Sequence, residues 1–182
     1  AETAIDCLRF HLGGADEAYK LHELVGTSVL GALCIAGGSR SGSSWTFLPA
    51  DRVQLTGFED EQALLPVPAR NFGGYRLLQE YFSLPQRYLF FDVSGLKEAV
   101  RANNSKELEL VVLFGRGEAG LEKLVDATNF LLHCTPAINL FEKVIDRIHL
   151  AHSAHEFHVV VDRTRPTDFE LYDLVKVVGY GS

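Results

Sequence analysis

Residues 71–96, NFGGYRLLQEYFSLPQRYLFFDVSGL, decide how this chain is read. Leu77, Leu78, Tyr81 and Phe82 stand at the i, i+3, i+4 spacing that lines one face of a helix, which leaves Arg76 and Glu80 for the other face. Pro85 cannot continue that helix and biases Leu84 toward an extended backbone. The run Tyr88, Leu89, Phe90, Phe91 is then apolar at every position and predicts a strand buried on both faces, ending at 92–95. The expected core is Tyr75, Leu77, Leu78, Tyr81, Phe82, Leu89, Phe90 and Phe91. On that reading truncating Tyr81 or Phe82 costs about 3–5 kcal/mol, as for any large buried ring. Arg76 and Glu80 form a surface pair worth a few tenths of a kcal/mol.

Working outward, the residues before this stretch predict a strand at 5–12 closed by Gly13 and Gly14, then a helix capped by Asp16 with Ala18, Leu21, Leu24 and Val25 on one face. Three short apolar segments follow at about 29–36, 44–48 and 53–58, separated by GGSRSGSS (37–44) and by Pro49–Asp51, which is hairpin spacing. Residues 59–68, with Pro66 and Pro68, form a loop. After the central stretch come a short helix at 96–101, a turn at Asn103 and Asn104, a strand in KELELVVLF (106–114), a short helix at 121–127, and strands at 130–134, 157–161 and 170–178. Short strands dominate without regular β-α alternation, so the expected class is α+β, mostly antiparallel sheet packed with a few isolated helices.

The chain has 182 residues, of which 47% are hydrophobic and 23% charged, enough to bury a core and too apolar for compositional disorder. Its net charge of -7, with no basic block, argues against a nucleic-acid partner, whose phosphates require a positive surface. No apolar run is long enough for direct membrane insertion, and residues 1–10 lack the pattern of a signal peptide. Cys7, Cys34 and Cys134 are odd in number and far apart, so a reducing cytoplasm is the simplest setting. Met is absent, and the chain reads as a piece of a longer protein: one internal region, 1–182, with a weak subdivision near 59–70.

Motifs with chemical potential are few. GRGEAG supplies Gly115, Gly117 and Gly120 in a literal GxGxxG between a strand and a helix, the setting of a dinucleotide site. Glu107 and Glu109 in the preceding strand and Glu118 inside the loop oppose that reading, and a glycine-rich connection fits better. His149, His152, His155 and His158 recur every third residue and are the metal candidates, but on a helix they walk off one face and on a strand they alternate sides. No GxSxG elbow is present, Ser39–Ser44 lacks a strand-turn-helix frame, and Glu59, Asp60 and Glu61 read as solvated loop charges. No catalytic residue is assigned. Asp162, Arg163, Arg165 and Pro166 close a strand with two guanidiniums that suit either a local ion pair or a partner's carboxylates, and they are the candidate interface residues.

Several blocks together resemble a known family: LRFHLGG with the following LHELVG, LPADRVQLTGFEDEQALLP, GYRLLQEYFSLPQRYLFFDVSGL, LHCTPAINLFEK and VVVDRTRPTDFELYDLVKVVG. They are similar to TssF (also VasA or ImpG), a baseplate subunit of bacterial type VI secretion systems, whose members are longer than this chain. The resemblance implies a structural, non-enzymatic wedge component with no cofactor, assembling with TssG, TssE and TssK around the spike protein VgrG for contractile tail assembly and effector secretion. It implies a cytoplasmic baseplate at the inner face of the inner membrane. Loop 115–120 does not match the family, which weakens the competing reading of a nucleotide-binding or metal-dependent enzyme domain.

Overall fold

The computed structural model describes residues 5–36, 45–65, 72–103, 107–149 and 155–180. The elements are β1 (Cys7–Leu12), α1 (Asp16–Thr27), β2 (Val29–Ala36), β3 (Trp45–Pro49), β4 (Val53–Thr56), α2 (Gly73–Ser83), β5 (Phe90–Ser94), α3 (Lys97–Ala102), β6 (Leu108–Phe114) and β7 (Phe130–Leu131). Single 3-10 turns lie at Ala50–Arg52, Asp60–Gln62, Pro85–Tyr88 and Ala127–Asn129. The chain divides into two compact units, Ala1–Ala137 and Ile138–Ser182.

The first unit holds two sheets in the orders β4-β5-β1-β7 and β3-β2-β6, with antiparallel ladders throughout. It is an α+β fold. The period-2 alternation of β1 explains its place. Leu8, Phe10 and Leu12 face the core, where Phe10 lies opposite Phe91 and the two rings stack at 5.2 Å. Arg9 and His11 take the other face, opposite Asp92 and Phe90. There the Arg9 guanidinium grips both Asp92 oxygens at 2.8 Å.

Ala18, Leu21, Leu24 and Val25 bury the apolar side of α1. They pack with Ala32 and Cys34 of β2, Val53, Leu89, Phe91, Val93, Leu96 and Ala99 into one core. Gly31, at φ 153° beside a bulge in β2, lies so close to its neighbour strand that a Cβ there would stand 2.6 Å from the Leu48 carbonyl. The outer face of the β3-β2-β6 sheet carries Trp45, Phe47, Leu33, Ile35, Val111 and Leu113, with both aromatic rings exposed.

Several sequence expectations in this unit change. Asp16, expected to cap α1, is its first helical residue, and the cap position is Ala15 without a side-chain hydrogen bond. Tyr88 ends a 3-10 turn, Leu89 caps it, and the strand begins at Phe90. The helix expected at 121–127 is a set of turns ending in an Asp126–Asn129 capping box. The strand at 130–134 shrinks to Phe130 and Leu131, because His133 takes a left-handed φ of 61° that no ladder accepts. The 37–44 turn and Ser39–Ser44 lie outside the described residues, as do 66–71 with the loop's two prolines, and Asn104 of the expected turn.

The second unit has neither helix nor strand among its described residues. The strands expected at 157–161 and 170–178 do not form, since no neighbouring segment there completes a ladder. Side chains organise this unit instead. The Phe169 ring meets Phe141 edge-on at 6.0 Å, Lys143 at 4.0 Å and Arg165 at 5.3 Å, and Arg147 lies 5.0 Å from the Tyr180 ring.

Candidate assembly surface

The helix α2 is inverted relative to its expected orientation. Its one buried residue is Glu80, and Arg76 turns inward beside it, with a side chain only 8% exposed. Tyr75, Leu78, Tyr81 and Phe82, expected in the core, are 70%, 57%, 50% and 79% exposed. No residue of α2 belongs to the core cluster; Leu77 is half-buried, and its carbonyl lies 3.2 Å from the Tyr88 hydroxyl. Leu89, Phe90 and Phe91 are buried.

The cause lies seven residues downstream. The turn at Pro85–Tyr88 buries Arg87, and a guanidinium out of water requires a carboxylate. Glu80 supplies it: Oε2 pairs with Arg87 Nη1, lies 3.2 Å from Arg76 Nη1 and 3.4 Å from the Tyr88 hydroxyl, while Oε1 accepts from the Leu64 amide at 3.1 Å. Arg87 Nη2 donates to the carbonyls of Gly57 and Gln62 at 3.0 and 2.7 Å. Gly57, at φ 104°, turns the chain so that its amide also meets the Gln62 side chain at 2.5 Å. Arg76 Nη2 closes the network on the Phe58 carbonyl at 2.9 Å and on Asp60 at 3.2 Å. Burial lowers the Arg87 pKa, and the Arg76 charge acts the same way, from a start high enough that it stays protonated at neutral pH. Two guanidiniums and one buried carboxylate thus clamp α2, the 57–64 loop and the 85–88 turn together.

With its charges inside, α2 shows solvent a stripe without charge. Tyr75, Leu78 and Phe82 recur at i, i+3, i+7, and Leu78 lies about 160° around the helix from both Arg76 and Glu80. Phe72 meets Tyr75 edge-on at 5.7 Å and Tyr81 meets Phe82 at 5.4 Å. Exposed Glu59, Asp60 and Glu61 border the N-terminal end. One signal in the sequence pointed this way: Phe72, Tyr75, Leu77, Leu78, Tyr81 and Phe82 surround most of the helix, and such a helix has two apolar sides to cover.

The other candidates separate. After Gly115, whose amide donates to the Ser28 carbonyl at 2.7 Å, the GRGEAG loop runs into turns; Arg116 pairs with Glu23 at 2.5 Å, and a Cβ on Gly117 would meet nothing. Its strand β6 lies at a sheet edge and no helix follows, so Gly115, Gly117 and Gly120 do not form the strand-loop-helix cradle a pyrophosphate requires. His149, His155 and His158 are exposed on irregular backbone, and His152 lies outside the described residues. Among the described residues no three His, Cys, Asp or Glu side chains converge as a metal site. Asp162 is engaged within its own unit: bonds from Lys143 at 2.8 Å and from the Thr164 hydroxyl and amide hold its carboxyl well below the usual range. Arg165 faces Asp168 at 3.7 Å, while Arg163 and Pro166 are exposed. Among the described residues no helix is long and apolar enough to cross a membrane.

The family described as "Type VI secretion system, TssF" matches residues 1–182. This chain belongs to the TssF family. It is 50% identical over 181 residues to the type VI secretion system component TssF1 of Pseudomonas aeruginosa PAO1, a match that covers 98% of this chain and 29% of that TssF protein. The chain therefore spans under a third of the length of its TssF relative. In solved structures the fold is similar to a chain of the TssK-TssF-TssG baseplate subcomplex, determined by cryo-electron microscopy. The TM-score is 0.57 at 21% identity, covering 89% of this chain and 30% of that one.

Proposed function

We propose that this chain is a region of a structural baseplate subunit that binds other baseplate proteins and carries out no reaction of its own. The observation that carries the reading is the TssF match over residues 1–182, joined to a fold similar to part of a TssK-TssF-TssG baseplate subcomplex. The uncharged aromatic stripe of α2 suits such a role, because the centres of protein interfaces are depleted of charge and enriched in Tyr and Phe. TssG and TssK are the first partners to test. TssE and the spike VgrG belong to the same reading as further members of the assembly, located at the cytoplasmic face of the inner membrane.

The test is capture of the full-length parent protein co-expressed with its cognate TssG and TssK. Co-purification in fixed stoichiometry is expected. Folded partners that pass through without retention overturn the reading. A fluorescent fusion of the parent should form foci at the cell envelope only when those partners are present; foci independent of them contradict the location.

A further inference from the structure

We infer that the open edge of β6 is completed in the full-length parent by a β-strand drawn from the parent's own sequence outside residues 1–182. The inference concerns the parent's own fold and stands apart from the assembly reading above.

β6 is an outer strand of the order β3-β2-β6 and pairs on one side, with β2. An antiparallel ladder points the N–H and C=O groups of successive residues to alternate sides. Gly115 donates to the Ser28 carbonyl just before β2, so Glu109, Val111 and Leu113, in step with Gly115, direct theirs toward β2. Leu108, Leu110, Val112 and Phe114 direct theirs away, and among the described residues no hydrogen bond reaches these groups. The side chains of the same four residues turn to the core face, where Leu110 stands opposite Cys34 and Val112 opposite Ala32. They reach only its margin and are half-buried, as are Val111 and Leu113 on the other face.

From Leu110 to Phe114 the strand is therefore apolar on both faces, the composition of a strand inside a sheet, while one side of its ladder is unmade. The other described edges are short or blunted. β7 has two residues, β4 has four with Gln54 and Thr56 among them, and β3 ends at Pro49. β6 has seven residues without proline or lysine, and the bulge beside it lies in β2. Main-chain donors and acceptors in a row select an extended segment as the occupant, apolar where it lies beside Leu110, Val112 and Phe114. A reversible partner is the poorer source of that segment. A subunit that kept such an edge bare until a partner arrived would offer its own copies a template for pairing, so an unprotected edge is best closed within the molecule that carries it. The parent has the material, because the match covers 29% of the TssF relative and leaves most of that sequence outside it.

The experiment uses the full-length parent alone, with amide hydrogen exchange read at single residues by electron-transfer fragmentation. The amides of Leu108, Leu110, Val112 and Phe114 should exchange as slowly as those of Glu109, Val111 and Leu113, about 100-fold or more below the rate of an unbonded amide. Fast exchange at the first set beside slow exchange at the second means a bare edge and overturns the proposal. Protection that appears only when TssG or TssK is added, or only at high protein concentration, overturns it too, because the lane then belongs to another subunit or to a second copy. Photo-leucine at position 113, which keeps the size of the native side chain, gives an independent reading on the outer face of β6. After irradiation of dilute parent, a crosslink to a segment outside residues 1–182 supports the added strand. Products confined to residues 1–182, or joining two molecules, overturn it.

Discussion

Glu80 and Arg87 pair inside the fold, their side chains 3% and 1% exposed, although seven residues and a change of element separate them. The pair sets which side of α2 faces solvent. Glu80→Ala leaves two buried guanidiniums facing each other, and loss of one partner of a buried ion pair costs about 3–5 kcal/mol. Chemical denaturation should show that loss, with Arg87→Ala comparable in size and Asp60→Ala, at the exposed end of the network, below about 1 kcal/mol.

Ring truncations should divide sharply. Phe91→Ala removes a ring packed on Phe10 within the core and should cost about 3–5 kcal/mol. Phe82→Ala and Tyr81→Ala remove rings that face solvent and should cost less than about 1 kcal/mol each. Equilibrium unfolding of the three variants checks the order, and a Phe82→Ala loss as large as that of Phe91→Ala would contradict the burial described.

Burial lowers the pKa of His22 from its ordinary 6.5, opposed by a backbone hydrogen bond with Tyr88. A depressed histidine pKa means that below about pH 6.5 the unfolded chain takes up a proton the folded chain refuses, so stability is level above about pH 7, falls as pH drops toward the folded value, and is level again below that value. Melting temperatures across this range should therefore decline more steeply for the native sequence than for His22→Gln. Parallel curves would show that His22 titrates alike in both states.

Gly31→Ala should destabilise by about 2–3 kcal/mol, since its Cβ would press on the Leu48 carbonyl and the Phe47 ring in a backbone conformation that side chains avoid. Gly117→Ala, where nothing lies within reach, should fall within about 0.5 kcal/mol of the parent. Thermal unfolding of the pair separates a glycine held by packing from one that merely connects.

The elements with strong periodicity were legible: β1, α1, the three strands from 29 to 56, α2 and β6 lie within a few residues of where apolar spacing and turn residues put them. Their orientation was less so. The apolar side of α2 was expected inward because burial is the ordinary fate of Leu, Tyr and Phe, but an apolar residue outside is common and a buried charge is the rarer, more telling event. Nothing local in GYRLLQEYFSLPQRY says that Arg87 is swallowed by its turn, and that placement reverses the helix. The irregular course of 155–180 was hidden for a different reason. HVVV has the composition of a strand, but a strand exists only where a neighbour supplies hydrogen bonds, and single-sequence patterns carry no record of neighbours. At the candidate surface the individual side chains were visible in the sequence, while their common exposure followed from a contact between distant elements.

The order of the four-stranded sheet sets a timetable for synthesis. Arg9 of β1 pairs with Asp92 of β5 across 83 residues of chain, and β7 is later still. At about 5–20 residues per second, a ribosome delivers β5 some 4–17 s after β1. During that wait Leu8, Phe10 and Leu12 lie on a strand with both edges open, the kind of template on which nascent chains stick to one another. A polysome carrying this message therefore holds several copies of the same unpaired strand at once, and shielding β1 until residue 94 has emerged becomes a requirement of biogenesis rather than of the finished molecule.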